Sequence, residues 1–200
     1  MVMDDIWQAI GTAFSLVLSF DTDLVEIVGL SLRVSLSAVV IATLLGLPIG
    51  AALAVFRFPG RKGLVILINV LMGLPPVVVG LIVYLMLSRS GPFGVFGLLF
   101  TPTAMVVAQI ILVTPIIAAL TRQVVEELFD EYDEQLRSFG ASPFRRLTAV
   151  LFDARYQLLT AILAGFGRSS AEVGAVMIVG GNIDHVTRVM TTSIAMEASK

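Results

Sequence analysis

The sequence predicts an all-α integral membrane protein, a bundle of helices that cross a bilayer. Of its 200 residues, 57% are hydrophobic and only 14% are charged, whereas a soluble domain is about 45–50% apolar and about 25% charged. The apolar residues also fall in runs close to the roughly 20 residues that a helix needs to cross a membrane. The chain has no cysteine and one histidine, His185, which excludes disulfide frameworks, thiolate metal sites and His-rich metal sites.

Residues 1–23 are predicted to form an outer segment with an interfacial helix. Its apolar stretch, residues 7–20, would be about 21 Å long as a helix, less than the hydrocarbon core of about 30 Å. We therefore expect it to lie on the membrane with Trp7 near the headgroups; a short spanning helix is the alternative. Asp4 and Asp5 stand where a signal peptide carries basic residues, so no signal peptide is expected.

Residues 24–200 are predicted to form a single membrane domain with four spans. Pro48 is expected to kink the first span near its end, and Pro75 with Pro76 to break the second. That break indicates either a broken helix that lines a path or a simple kink. Residues 187–200 are too short and too polar to cross alone. The predicted spans are 24–56, 63–87, 102–121 and 157–179.

The distribution of basic residues predicts the orientation. Lysine and arginine concentrate on the cytoplasmic side of membrane proteins. The turn at 57–62 carries three of them and the polar stretch at 122–156 carries five, whereas the opposite loops carry Arg89 and Arg188, with Lys200 at the end. We therefore place 57–62 and 122–156 in the cytoplasm and the N-terminus outside.

The polar stretch at 122–156 is the most informative feature of the chain. Its first part, 122–139, reads as a helix with an apolar stripe at three- and four-residue spacing. The other faces of that helix carry six acidic residues. The stripe contains Leu128, Phe129, Tyr132, Leu136 and Phe139, and the acidic residues are Glu126, Glu127, Asp130, Glu131, Asp133 and Glu134.

A tight turn and a second helix are predicted to follow. Gly140 stands where a helix needs a left-handed residue to end. Ser142 and Pro143 then supply an N-cap and a first-turn proline, and Phe144, Leu147 and Leu151 form a second apolar stripe. A solvated connector between spans is the alternative. Two apolar stripes around a defined turn favour a helical knob that packs partly on the spans and partly on a partner.

This stretch resembles the EAA loop of the permease subunits of ATP-binding-cassette (ABC) importers. The family pattern is Glu-Ala-Ala, three residues, Gly, about nine residues and then Ile-x-Leu-Pro. Here Glu134 begins the pattern with Gln135 and Leu136 in place of the alanines, Gly140 takes the glycine position, and Val150 takes that of isoleucine. Phe152 and Asp153 replace Leu-Pro.

Later segments resemble molybdate- and tungstate-type permeases more closely. They are AEVGAVMIVGGNI at 171–183, with GFGR at 165–168 before it, and TRVMTTSIAMEASK at 187–200. The run FDARY at 152–156 is most similar to the tungstate branch. The resemblance implies a MetI-like helix bundle, as in type I ABC importer permeases. Such permeases usually have a further span after the Thr-rich segment, which here is 187–200. The final span of the family is therefore expected to be missing from this chain.

The resemblance implies a non-catalytic membrane subunit of an ATP-driven oxyanion importer in a bacterial or archaeal plasma membrane. Tungstate is the first expected substrate and molybdate the second; sulfate, phosphate or another solute is the alternative. A secondary transporter is an alternative of another class, and it would predict internal repeats and midplane carboxylates. A membrane anchor or intramembrane enzyme is a third.

The partners follow from the same resemblance. They are a cytoplasmic ABC ATPase, an extracytoplasmic substrate-binding protein, a second copy of the chain and the bilayer, with no nucleic acid. ATP and its binding site belong to the ATPase, and no cofactor is expected here, since the chain contains no GxxxxGK[ST] loop. The expected coupling residues are Glu134, Gly140, Ala141, Ser142, Pro143, Phe144 and Arg145.

Four polar residues in apolar segments are candidates for the substrate pathway. They are Arg33, Asn69, Arg168 and Glu172, because an ionisable group inside a membrane is by default a functional hypothesis. Arg168 and Glu172 are four residues apart on one predicted helix, so they can meet. A buried ion pair that fixes helix packing is the favoured interpretation. The alternative is that Arg33 or Arg168 touches a passing oxyanion.

Overall fold

The described residues form helices joined by short turns, with no strand among them. A computed structural model of the chain describes Trp7, Ser15 and residues 18–198. The interfacial helix expected at 7–20 therefore lies almost wholly outside the described residues. The helices are α1 (Thr22–Val55), α2 (Arg61–Met72), α3 (Pro76–Leu87), a 3-10 turn at Gly94–Phe96, α4 (Pro102–Ser138), α5 (Pro143–Asp153), α6 (Arg155–Ser170), α7 (Gly174–Gly180) and α8 (Met190–Glu197).

Two of these helices are long and apolar enough to cross a membrane by themselves. They are α1, with 34 residues, and α4, with 37. Two further pairs pass the same test but are bent, α2 with α3 by 100° and α5 with α6 by 67°. Up to four spans result if each bent pair counts as one. The all-α membrane class predicted from composition is confirmed.

The break predicted at Pro75 and Pro76 is also confirmed. α2 ends at Met72, and α3 begins with Pro76 at its first position. At that position the amide hydrogen that proline lacks would have no partner inside the helix. Pro48 lies inside α1, which stays helical through it; the kink expected there stays a prediction.

The third span and the first polar helix are one continuous helix rather than two. α4 runs from Pro102 to Ser138 and includes both predicted segments, 102–121 and 122–139. No glycine or proline occurs between Pro115 and Gly140, so no local signal interrupts the helix where its surface changes from apolar to charged.

The fourth predicted span, 157–179, is not continuous. α6 ends at Ser170 and α7 begins at Gly174. Between them the Glu172 carboxylate accepts a hydrogen bond from the amide of Ala175 at 3.0 Å. This side chain satisfies a donor in the first turn of α7, which otherwise would have no helical partner, and so favours a new helix start at this point.

α4 is the central helix of the bundle, and α1 packs along it more extensively than any other element. Small residues allow this close approach: a Cβ at Gly50 would lie 2.5 Å from the carbonyl oxygen of Ala118. The buried apolar side chains form three clusters in succession along α4, around Met105, around Ile117 and around Val125. One continuous helix therefore connects the apolar bundle with the polar end of the chain.

Candidate functional site

The basic turn and the polar extension of α4 lie at the same end of the molecule. Arg61, the first residue of α2, donates from Nε to the carbonyl oxygen of Leu53 in α1 at 2.6 Å and forms an ion pair with Glu126 of α4. Glu126 also pairs with Arg122 one turn earlier. α1, α2 and α4 are thus joined through Arg61 and Glu126. Sequence reasoning missed this junction, because it placed Glu126 only among the acidic residues outside the apolar stripe.

The end of α4 has the left-handed turn predicted for it. Gly140 has φ +71°, and its amide donates to the carbonyl of Arg137 at 2.9 Å. The amide of Ala141 donates back to the carbonyl of Leu136 at 3.0 Å. These two bonds make a Schellman motif, which satisfies carbonyls that have no partner inside the helix.

The second polar helix begins as predicted. The hydroxyl of Ser142 accepts from the amide of Arg145 at 3.4 Å, and Pro143 opens α5. The chain thus turns within residues 139–142 from one helix directly into the next. We call the end of α4 from Glu126, this turn and α5 together the elbow.

One ion pair ties the two arms of the elbow. Arg146 of α5 donates from Nη1 to Oδ1 of Asp133 in α4, and its guanidinium lies over the Phe129 ring, 5.9 Å from the centroid. Asp133 also pairs through its other oxygen with the exposed Arg137, at 2.8 Å. Asp133 therefore pairs with one arginine across the two arms and with another, exposed arginine on its own helix.

The apolar stripes of the elbow are partly buried and partly exposed. Phe129 and Leu136 pack on the cluster that contains Val125 and Val150. The ends of the stripes are outside: Phe139 is 84% exposed and Phe144 is 74% exposed. The structure thus agrees with the expectation that one part packs on the protein. Of the other predicted coupling residues, Glu134, Gly140, Ser142 and Arg145 are exposed and Ala141 is half-buried.

An open apolar groove of about 320 Å³ runs between the two arms. Its lining includes Tyr132, Leu136, Phe139 and Phe152. The negative charge of Glu131, followed by that of Asp153, raises the pKa of the Tyr132 phenol, which also forms a hydrogen bond with the Asp153 side chain. The groove and the exposed phenylalanines form an apolar surface on an otherwise charged part of the chain, of the kind that proteins use for docking.

Residues 46–195 match the family described as "Binding-protein-dependent transport system inner membrane component". The chain belongs to this family. A probable anion ABC transporter permease protein of Haloferax volcanii is 42% identical over 90% of this chain and 79% of its own length. The tungstate uptake system permease protein TupB of Peptoclostridium acidaminophilum is 38% identical, over 97% and 85%. The sulfate transport system permease protein CysW of Synechocystis is more distant, 30% identical over 77% and 58%.

The protein is therefore the permease subunit of an ABC importer, as its EAA-like loop indicated, and its fold is the MetI-like helix bundle. In this permease the predicted pathway residues do not form one site. Arg33 in α1 and Asn69 in α2 are exposed, and neither makes an ion pair or a hydrogen bond with Arg168 or Glu172. Arg33 lines an open cavity of about 350 Å³ together with Ser37 and Thr103.

Arg168 and Glu172 of the permease do meet, although not on one helix as predicted. Glu172 lies beyond the end of α6, and its Oε2 accepts from Arg168 at 2.6 Å. The residue is only 4% exposed. Its other carboxylate oxygen caps Ala175, and its backbone carbonyl accepts from the Thr191 hydroxyl at 2.8 Å. A buried carboxylate with this many partners fits the favoured interpretation, an ion pair that fixes packing.

A second buried polar contact lies next to this pair. Ser169 donates from its hydroxyl to Gln109 Oε1 at 2.7 Å, and Gln109 Nε2 donates to the Ser169 carbonyl at 3.2 Å. Gln109 is visible in the sequence as a polar residue within the predicted span 102–121, but its partner is not. The contact ties α4 to α6 sixty residues later in the chain, a separation that no local pattern reveals.

The permease also has a polar contact at the end opposite to the elbow. The Nδ1 atom of His185 lies 2.8 Å from Oε2 of Glu26 near the start of α1. This hydrogen bond, followed by the charge of Asp184, raises the pKa of His185. The residue is exposed, yet it links the loop at 181–189 to α1.

Proposed function

We propose that the permease imports a tetrahedral oxyanion, with tungstate as the first candidate and molybdate as the second. Support for tungstate comes from TupB, a tungstate uptake permease that matches nearly the full length of this chain. The sulfate permease is less similar and matches less of the chain. Sulfate is therefore the alternative substrate within the same chemical class, the tetrahedral oxyanions.

We propose further that the elbow is where a cytoplasmic ABC ATPase drives transport. The observation that carries this proposal is that α4 runs without interruption from the apolar bundle into a turned, capped and ion-paired elbow. A rigid connection of this kind transmits a push into the membrane instead of absorbing it. Glu134, Phe144 and Arg145 present the outer surface that such a partner would grip.

The remaining partners and the orientation belong to the same proposal. The permease lies in a bacterial or archaeal plasma membrane with the elbow in the cytoplasm and the N-terminus outside. An extracytoplasmic binding protein delivers the anion, and a second copy of the chain completes the pore by two-fold symmetry. The permease itself is non-catalytic and holds no cofactor, because ATP is bound and hydrolysed by the partner.

Among the candidate pathway residues, Arg33, Asn69 and Arg168 are proposed to face the anion, and Glu172 is proposed to hold Arg168 in place. The unequal surroundings support this division. The carboxylate of Glu172 is buried and fully engaged, whereas the side chain of Arg168 is 33% exposed. A free carboxylate in the pathway would also repel the anion, since like charges repel.

The experiment is uptake by proteoliposomes that contain the permease with its ATPase and binding protein. We expect ATP-dependent uptake of tungstate that vanadate inhibits, with molybdate second and sulfate weaker. Uptake that follows an ion gradient, needs no ATP and resists vanadate would contradict ATP-driven import. ATP-dependent uptake of sulfate in preference to tungstate would retain the importer and change only its substrate.

A further inference from the structure

Two neighbouring arginines of α5 have opposite surroundings. Arg145 is exposed, whereas the side chain of Arg146 is only 11% exposed and pairs with Asp133, itself 17% exposed. The guanidinium of Arg146 also covers the Phe129 ring, a favourable cation–π arrangement. Sequence spacing gives no reason to separate the two, so the difference comes from the way α5 is placed against α4.

The position of Arg146 on α5 determines what it can fix. Val150, one turn later, is 1% exposed, and Ala154, another turn later, is fully buried. Residues four apart share a face of a helix, so Arg146 and Val150, together with the C-cap residue Ala154, form the inward edge of α5. The two apolar residues anchor its C-terminal half, and Arg146 anchors the half next to the turn.

α5 needs such an anchor because it has only 11 residues. A helix of that length is marginal in isolation and depends on tertiary contacts. Gly140, before it, has the backbone freedom of glycine, so the turn alone does not fix how α5 is rotated about its axis. With Arg146 held at Asp133, Phe144 and Arg145 face outward.

We propose that Arg146 is a positioning residue for coupling: its ion pair with Asp133 fixes the rotation of α5 and so aims the outer surface of the elbow at the ATPase. This inference rests on the proposed coupling function. It adds a residue that lies outside the predicted coupling set and touches no partner itself. Its action passes through α5 to Phe144 and Arg145.

Arg137 supplies a matched control. It pairs with the same carboxylate group, through the other oxygen of Asp133, but its side chain is 66% exposed and it lies on α4. An exposed pair of this kind contributes little to stability. Arg137→Met removes one positive charge beside Asp133 without freeing α5, whereas Arg146→Met removes the contact between the arms.

The test measures the ratio of ATPase activity with and without loaded binding protein in the reconstituted importer. We expect Arg146→Met to lower this ratio at least threefold and Arg146→Lys to recover part of it, because the pair uses one nitrogen and a lysine can replace it. Arg137→Met should keep the wild-type ratio. Equal ratios in Arg146→Met and Arg137→Met, whether both normal or both lowered, would overturn the inference.

A second measurement reports the orientation directly and does not depend on activity. The chain has no cysteine, so a spin label at Thr148→Cys, an exposed position of α5, reports this helix alone within the permease. The label should become more mobile in Arg146→Met and not in Arg137→Met. Unchanged mobility in Arg146→Met refutes the anchor even if that variant fails to assemble with the ATPase. A wild-type importer that shows no stimulated ATPase activity would instead count against the proposed function.

Discussion

Gly140 is the position where a single substitution should separate coupling from folding. Its φ is +71°, and a Cβ added there would meet no heavy atom within 4 Å. The cost of a side chain is therefore a backbone cost and not a clash. An L-residue in the left-handed region costs about 1–2 kcal/mol, and a β-branched residue is a stronger outlier there. We expect Gly140→Val to strain the elbow while the apolar bundle, which does not contact this position, stays folded.

The size of the effect follows from this energy. A change of 1–2 kcal/mol alters the ratio between two states by a factor of about 5–30. In Gly140→Val, the population of elbows with the native turn should therefore fall by that factor relative to other conformations. Binding-protein-stimulated ATPase activity should fall strongly in Gly140→Val. The stimulated activity should fall less in Gly140→Asn, because asparagine enters the left-handed region more readily.

Gly167→Ala is the matched control for the Gly140 series. Gly167 lies inside α6, and a Cβ there also meets nothing within 4 Å, but its φ is not positive. Alanine at a helical position should gain up to about 1 kcal/mol of helix propensity and leave coupling unchanged. The reasoning fails if Gly140→Val couples as well as the wild type, or if Gly140→Val and Gly140→Asn lose coupling equally.

Three further predictions test the bundle and the end opposite to the elbow. Gly80→Ala should destabilise the permease by about 1–3 kcal/mol, because its Cβ would lie 2.7 Å from the Cα of Ala175; thermal unfolding in detergent measures this loss. Glu172→Gln should cost about 1–3 kcal/mol by weakening a buried charged hydrogen-bond network, and the same loss in a variant that already lacks Arg168 would contradict the pairing. The single histidine gives one imidazole signal in NMR, and its pKa should lie above the ordinary value and fall toward it in Glu26→Gln.

The sign of the His185 effect follows from linkage between protonation and folding. A raised pKa in the folded state means that the protonated form is the stabilised one. The contribution is complete below the unfolded pKa of about 6.5 and is lost as the pH rises through the higher folded value. The contact between the loop at 181–189 and α1 should therefore weaken at alkaline pH, and an unshifted histidine titration would show that the contact is absent.

Local signals in the sequence predicted those helix ends that depend only on a few neighbouring residues. Gly140 ends α4, and Ser142 with Pro143 begins α5, because a left-handed glycine, a capping hydroxyl and a first-turn proline act on the backbone next to them. The break before Pro76 follows in the same way from a missing amide hydrogen. Apolar composition likewise fixed the membrane class, since the bilayer accepts few other kinds of segment.

Only the tertiary structure decided which polar groups meet. Nothing local distinguishes Arg146 from Arg145 or assigns Glu126 to Arg61, because these choices depend on how distant helices are placed against each other. The interruption between α6 and α7 was missed for a similar reason, since part of what stabilises it is the contact of Glu172 with Thr191. Neighbouring residues determine the local backbone geometry. The partner of a charge is instead determined by packing, which brings together residues far apart in the chain.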